Sequence, residues 1–88
     1  KLIIGNYCWI GEDTWIDNIE TVRIENNVCI SQGVYFCTGN HNYKKKEFDL
    51  TGEMITINDN CWIGAKTILC PGVNLNKNTI VKINSLIK

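Results

Sequence analysis

An apolar residue returns at every sixth position along most of this chain, and that spacing excludes the usual ways of folding it. Ile57, Ile63, Leu69, Leu75, Val81 and Ile87 show it without a break. Ile4, Ile10 and Ile16, then Ile24, Ile30 and Phe36, show it earlier. A period of six belongs to neither an α-helix nor a plain strand, so it is read as a structural repeat. Taking the apolar residue as position one, position five is small or β-branched: Cys8, Thr14, Val28, Val34, Cys61, Thr67, Val73, Thr79 and Ser85. Two inward positions in six fit a short strand followed by a turn. Three such strands close a triangular coil, and successive coils pair by parallel backbone hydrogen bonds about 4.8 Å apart.

The register slips twice. Ile16 to Ile24 is eight residues, which places a two-residue bulge near Asn18 to Thr21. Phe36 to Ile57 is twenty-one residues, or one hexapeptide step plus fifteen. The tetrapeptide Cys-Trp-Ile-Gly, at 8–11 and 61–64, supports one step, because its copies then stand two full coils apart on one face. Four coils follow, with three apolar columns: Ile4, Ile24, Ile57, Leu75; Ile10, Ile30, Ile63, Val81; and Ile16, Phe36, Leu69, Ile87. The fifteen extra residues predict a protruding loop over about residues 41 to 55. The expected fold is an all-β parallel β-helix forming one domain over residues 1–88. Lys1 in place of Met, and an end inside the repeat pattern, lead to the expectation of a piece of a longer protein.

Nine basic and nine acidic residues give a formal net charge of zero, which argues against nucleic acid or an anionic membrane surface as the main partner. No apolar stretch is long enough to span a bilayer. The five cysteines are odd in number and show no Cys-x-x-Cys spacing. They read as reduced, small apolar residues of a cytoplasmic protein rather than as a zinc site or disulfide scaffold. Trp9, Trp15 and Trp62 occupy position six and point outward by alternation, so they are expected to be covered by another surface.

Three motifs carry a resemblance: Cys-Trp-Ile-Gly-Ala at 61–65 with Ile68-Leu69-Cys70-Pro71-Gly72-Val73, Cys-Thr-Gly-Asn-His at 37–41, and Trp-Ile-Asp-Asn at 15–18 with Ile-Ser-Gln-Gly at 30–33. The chain resembles the hexapeptide-repeat acyltransferases, within them the galactoside and maltose O-acetyltransferase branch and, nearer still, the colanic acid biosynthesis acetyltransferases. The resemblance implies a left-handed helix, a homotrimer with active sites between subunits, and acetyl-CoA as acyl donor with no metal. It implies an O-acetyltransferase acting on a hydroxyl of a sugar or exopolysaccharide precursor. An N-acetyltransferase on an amino sugar or sugar nucleotide is the near alternative, and a non-catalytic β-helix assembly module the distant one. A carbonic anhydrase on this fold needs several histidines around a metal, and this chain has one.

That histidine, His41, follows Gly39 and Asn40 where the coil breaks into the loop. Imidazole suits a base that takes a proton from an acceptor hydroxyl near neutral pH. By the resemblance His41 is the catalytic base, and the alkoxide-like oxygen then attacks the thioester carbonyl directly. Glu53, in Gly-Glu-Met at the end of the loop, is the expected carboxylate orienting the ring, ahead of Glu47 and Asp49. Asp17 and Asn18 in the bulge, with Asn40, are expected at the acceptor. Ala65, Ile83 and Lys88 are expected along CoA, the first two through backbone groups; Ile83 and Lys82 stand where relatives carry Gly-Ala. Lys66 and Lys82 are further candidates for its phosphates. Lys44-Lys45-Lys46 reads as a solvated loop tip.

Overall fold

The structure, a computed structural model, describes residues 1–88 and is built of short strands without a helix. Twelve of the strands form three faces of a triangular prism. The first face carries β1 (Leu2–Ile4), β4 (Val22–Ile24), β9 (Ile55–Ile57) and β12 (Asn74–Leu75). The second carries β2 (Trp9–Ile10), β5 (Cys29–Ile30), β10 (Trp62–Ile63) and β13 (Ile80–Val81). The third carries β3 (Trp15–Asp17), β6 (Tyr35–Cys37), β11 (Ile68–Leu69) and β14 (Leu86–Ile87). All pairings within these faces are parallel, and each expected column appears residue for residue. Ile4 pairs Ile24, Ile24 pairs Ile57, and Ile57 pairs Leu75. Ile10, Ile30, Ile63 and Val81 form the second ladder, and Ile16, Phe36, Leu69 and Ile87 the third.

Burial follows the repeat. Positions one and five of the two central coils form the core, with Ile24, Ile30, Phe36, Ile57, Ile63 and Leu69 wholly buried. In the first coil, Ile4 and Ile10 remain 42% and 38% exposed, because they have a neighbouring coil on one side alone. The corners are bonded as well as the faces. Asn27, Asn60 and Asn78 each donate their backbone N–H to a carbonyl of the preceding coil, at 2.8–3.1 Å, and Gly33, Lys66 and Asn84 do the same at the next corner, at 2.7–3.0 Å. These six residues all have a left-handed backbone, as do Tyr7, Asp13 and Gly72. Position four of the hexapeptide therefore wants Gly or Asn, the residues that enter that region at least cost. Tyr7, at φ 60° and 91% exposed, gains no packing in return. Tyr7→Asn is expected to stabilise the fold by about 1 kcal/mol, read as a higher urea midpoint with unchanged slope.

Both register slips fall at the third corner, between the third and first faces. Asn18 to Thr21 form a bend in the first coil. The expected loop over 41–55 takes a different form and different limits. It is an antiparallel hairpin of β7 (Gly39–His41) and β8 (Leu50–Gly52), and Ile55 lies wholly in the core as the first residue of β9. No helix is long and apolar enough to cross a membrane, and the five cysteines are unbridged.

Candidate active site

The bend supports the hairpin. Thr38, wholly buried at the hairpin's base, donates its hydroxyl to the Asp17 carbonyl at 2.7 Å and accepts from the Glu20 N–H at 3.1 Å. Gly39 packs closely on the bend, since a Cβ there would lie 2.8 Å from Ile19 Cδ1 and 3.4 Å from Asp17 Oδ2 and would push the Ile19 side chain aside. The hairpin therefore rests directly on the bend. The half-buried carboxylate of Asp17 reaches toward Gly39, and Asn18 is exposed at the bend.

His41 is the last residue of β7, opposite Leu50 of β8. Its Nδ1 lies 3.0 Å from the Phe48 carbonyl oxygen. A carbonyl only accepts, so Nδ1 carries the proton and Nε2 keeps its lone pair. Phe48 itself holds φ 50°, a costly conformation for a bulky residue, and its carbonyl closes onto the ring from there. Within the chain the ring's hydrogen-bond partner is this backbone carbonyl and not the expected Glu53, which is exposed with its carboxylate turned to Gly72. Asp49 is bound to Lys45 at 3.1 Å, an exposed pair worth little. Asn40 uses its side-chain oxygen on the His41 N–H, 2.8 Å away.

A shallow groove of about 360 Å³ runs along the second face and its corner with the third, lined by Ser31, Gln32, Trp62, Gly64, Ala65, Ile80, Val81, Lys82 and Ile83. It brings the expected Ala65 and Ile83 together, with Lys82 beside them. Gly64 keeps the coils close here, since a Cβ would fall 2.5 Å from the Ile83 nitrogen and 2.7 Å from the Val81 oxygen. Lys66 is exposed at the same corner and outside the groove's lining. Lys88 does not join the groove. It follows Ile87 of β14, and the length of the third face separates it from Ile83. The groove's apolar wall was not expected from the sequence. The repeat places Trp62 outward, and its indole N–H donates to the Ser31 hydroxyl at 3.1 Å, which holds the ring along the groove.

On the third face, Trp15 pairs Tyr35 and Asp17 pairs Cys37. The Tyr35 hydroxyl is pushed up to about 12, chiefly by a side-chain hydrogen bond with Cys37, then by burial and by the charges of Cys37 and Asp17. The folded state thus favours the neutral phenol. That stability is fully present below the ordinary 10.0 and is lost as pH rises through about 12. Tyr35→Phe is expected to flatten the fall in urea midpoint across this alkaline window.

Several known proteins are similar to this chain. No family model matches it. Colanic acid biosynthesis acetyltransferase WcaF of Escherichia coli K12 is 32% identical over 85 residues, covering 97% of this chain and 47% of the relative. Galactoside O-acetyltransferase of the same organism is 33% identical over 70 residues, covering 76% of this chain and 34% of the relative. Among solved structures, the hexapeptide-repeat acetyltransferase VCA0836 of Vibrio cholerae, complexed with acetyl-CoA, superposes with a TM-score of 0.64 at 19% identity, over 97% of this chain and 59% of that one. The chain carries the left-handed β-helix of the hexapeptide-repeat acyltransferases. AntD of Bacillus cereus, an N-acyltransferase in complex with dTDP and 3-hydroxybutyryl-CoA, shares that fold with a TM-score of 0.67 at 14% identity, over 99% of this chain and 62% of that one. This hexapeptide-repeat chain spans about half the length, or less, of the curated relatives it matches.

Proposed function

We propose that this β-helix is the catalytic part of an acetyl-CoA-dependent O-acetyltransferase acting on a hydroxyl of a sugar or exopolysaccharide precursor, with His41 as general base. The observation that carries this is the 3.0 Å contact of Nδ1 with the Phe48 carbonyl, which fixes the tautomer a base needs. Nε2 then takes the proton of the acceptor hydroxyl as its oxygen attacks the thioester carbonyl, and the same nitrogen returns it to the departing thiolate. Asp17, Asn18 and Asn40 border the acceptor. Asp17 and Asn18 lie at the bend beneath the hairpin, and Asn40 keeps its side-chain N–H group free of protein partners. The pantetheine arm of CoA lies in the groove along Ala65 and Ile83, with Lys82 near a phosphate.

Groove and histidine stand at different corners of one chain, roughly 15–20 Å apart across a face about six residues wide. One chain alone does not bring them together. The second face carries the exposed Trp9, Trp62 and Ile80, and the end of the third face Leu86, surface that an assembly would cover. We therefore place the active site between subunits of a homotrimer, with His41 of one chain facing the groove of the next. Transfer to oxygen is favoured over nitrogen because the relatives above 30% identity include a galactoside O-acetyltransferase, whereas the N-acyltransferase shares only the fold.

The test is thiol release from acetyl-CoA with a panel of methyl glycosides and amino sugars. Release is expected with hydroxyl acceptors that lack an amine. Release with amino sugars alone would contradict the O-transfer reading, and release with none would contradict the acyltransferase reading itself.

A further inference from the structure

The third face holds an aromatic pair that the mechanism above does not use. Trp15 and Tyr35 stand side by side on β3 and β6, ring centroids 5.4 Å apart and inclined at 43°. Trp15 is 67% exposed, so its indole face is open. Two residues along β3, on the same side of the sheet, lies Asp17. No side chain in the molecule bonds its carboxylate, and the absent side chain of Gly39 lets it approach β7. By strand alternation Gly39 and His41 project from the same side of β7. Platform, carboxylate and imidazole therefore succeed one another along a single track leading to the third corner.

We propose that this track binds a saccharide of at least two pyranose rings, one stacked on Trp15 and Tyr35 and the next presenting its hydroxyl to His41. This rests on the sugar-acetyltransferase reading and specifies its acceptor. The C–H groups on one face of a pyranose carry partial positive charge and meet the negative face of the indole. Ring hydroxyls donate to the unpartnered Asp17 carboxylate, a charge-assisted bond. Tyr35, which pairs Trp15, lies six residues before His41, a path of at most roughly 20 Å, too far for one ring, so the saccharide needs at least two. An exposed aromatic beside an unbonded carboxylate matches this chemistry better than an all-apolar subunit contact, where Asp17 would be buried without a partner.

Saturation-transfer NMR on the protein with methyl β-lactoside tests it. Ring C–H protons should receive saturation, more strongly than those of methyl β-galactoside, and Trp15→Ala should abolish the effect while Trp15→Phe retains most of it. Where lactoside is acetylated, Trp15→Ala should raise its KM about tenfold, with kcat and the KM for acetyl-CoA nearly unchanged. The proposal is overturned if lactoside receives no saturation, if Trp15→Ala leaves it intact, if acetyl-CoA binding weakens instead, or if Trp15→Ala lowers the molecular mass in solution. Saturation together with no thiol release on any acceptor of the panel above would uphold the saccharide track and remove the acyltransferase reading, so the two fail separately.

Discussion

Alanine at position 41 is expected to lower kcat for acetyl transfer by about 10²–10⁴-fold, the range that a positioned general base contributes. The KM for acetyl-CoA should stay within about twofold, since in this account CoA is held by the groove along Ala65 and Ile83 and not by the imidazole. Stability should change little, because the ring is exposed and surface changes of this kind usually stay within about 0.5 kcal/mol. The comparison with Glu53→Ala is decisive for the geometry. The ring is oriented by the Phe48 carbonyl, so Glu53→Ala should keep most of the activity that His41→Ala loses. Steady-state kinetics on the two variants and the parent protein checks both statements.

Phe36→Ala is expected to cost about 3–5 kcal/mol, the usual penalty for removing a wholly buried aromatic side chain. Phe36 is the largest side chain in the core, is completely buried, and sits inside the third ladder between Ile16 and Leu69. The void left behind would lie among neighbours fixed on both sides by backbone pairing, so it has little room to collapse. Because repeats are stabilised by their neighbours, the loss should be felt by the whole array, as one cooperative transition at a lower urea midpoint. The equivalent truncation at Ile10, which is 38% exposed in the first coil, should cost much less. Denaturant unfolding of both variants distinguishes a continuous core from independent coils.

The regular part of the molecule was legible in the sequence because a six-residue period has one economical geometric solution. Choosing a single step across the long gap, from the two copies of Cys-Trp-Ile-Gly, put every member of the three columns opposite its observed partner. The irregular part was less legible, for identifiable reasons. The sequence reads Ile55 as loop because the column begins at Ile57, yet β9 starts two residues earlier and buries both. The hairpin carries no Asn-Gly or similar two-residue turn signal, so its strands were not anticipated. The partner of His41 could not be read from side-chain chemistry, since a backbone carbonyl at Phe48 leaves no compositional trace. The charge of Lys88 suits a CoA phosphate, but counting positions six and one of its hexapeptide carries it across the third face from Ala65 and Ile83. Trp62 was the opposite case: its outward position was clear, and only the bond to Ser31 and the neighbouring Ile80 and Ile83 revealed the groove.

The central claim is that one chain supplies the CoA groove and another the base. A crystal structure of the protein with CoA bound tests it most directly. The account predicts the pantetheine arm along Ala65 and Ile83, with its sulfur directed at Nε2 of His41 from a neighbouring subunit. CoA lying outside the Trp62–Ile83 groove, or a sulfur with no His41 within reach, would contradict it.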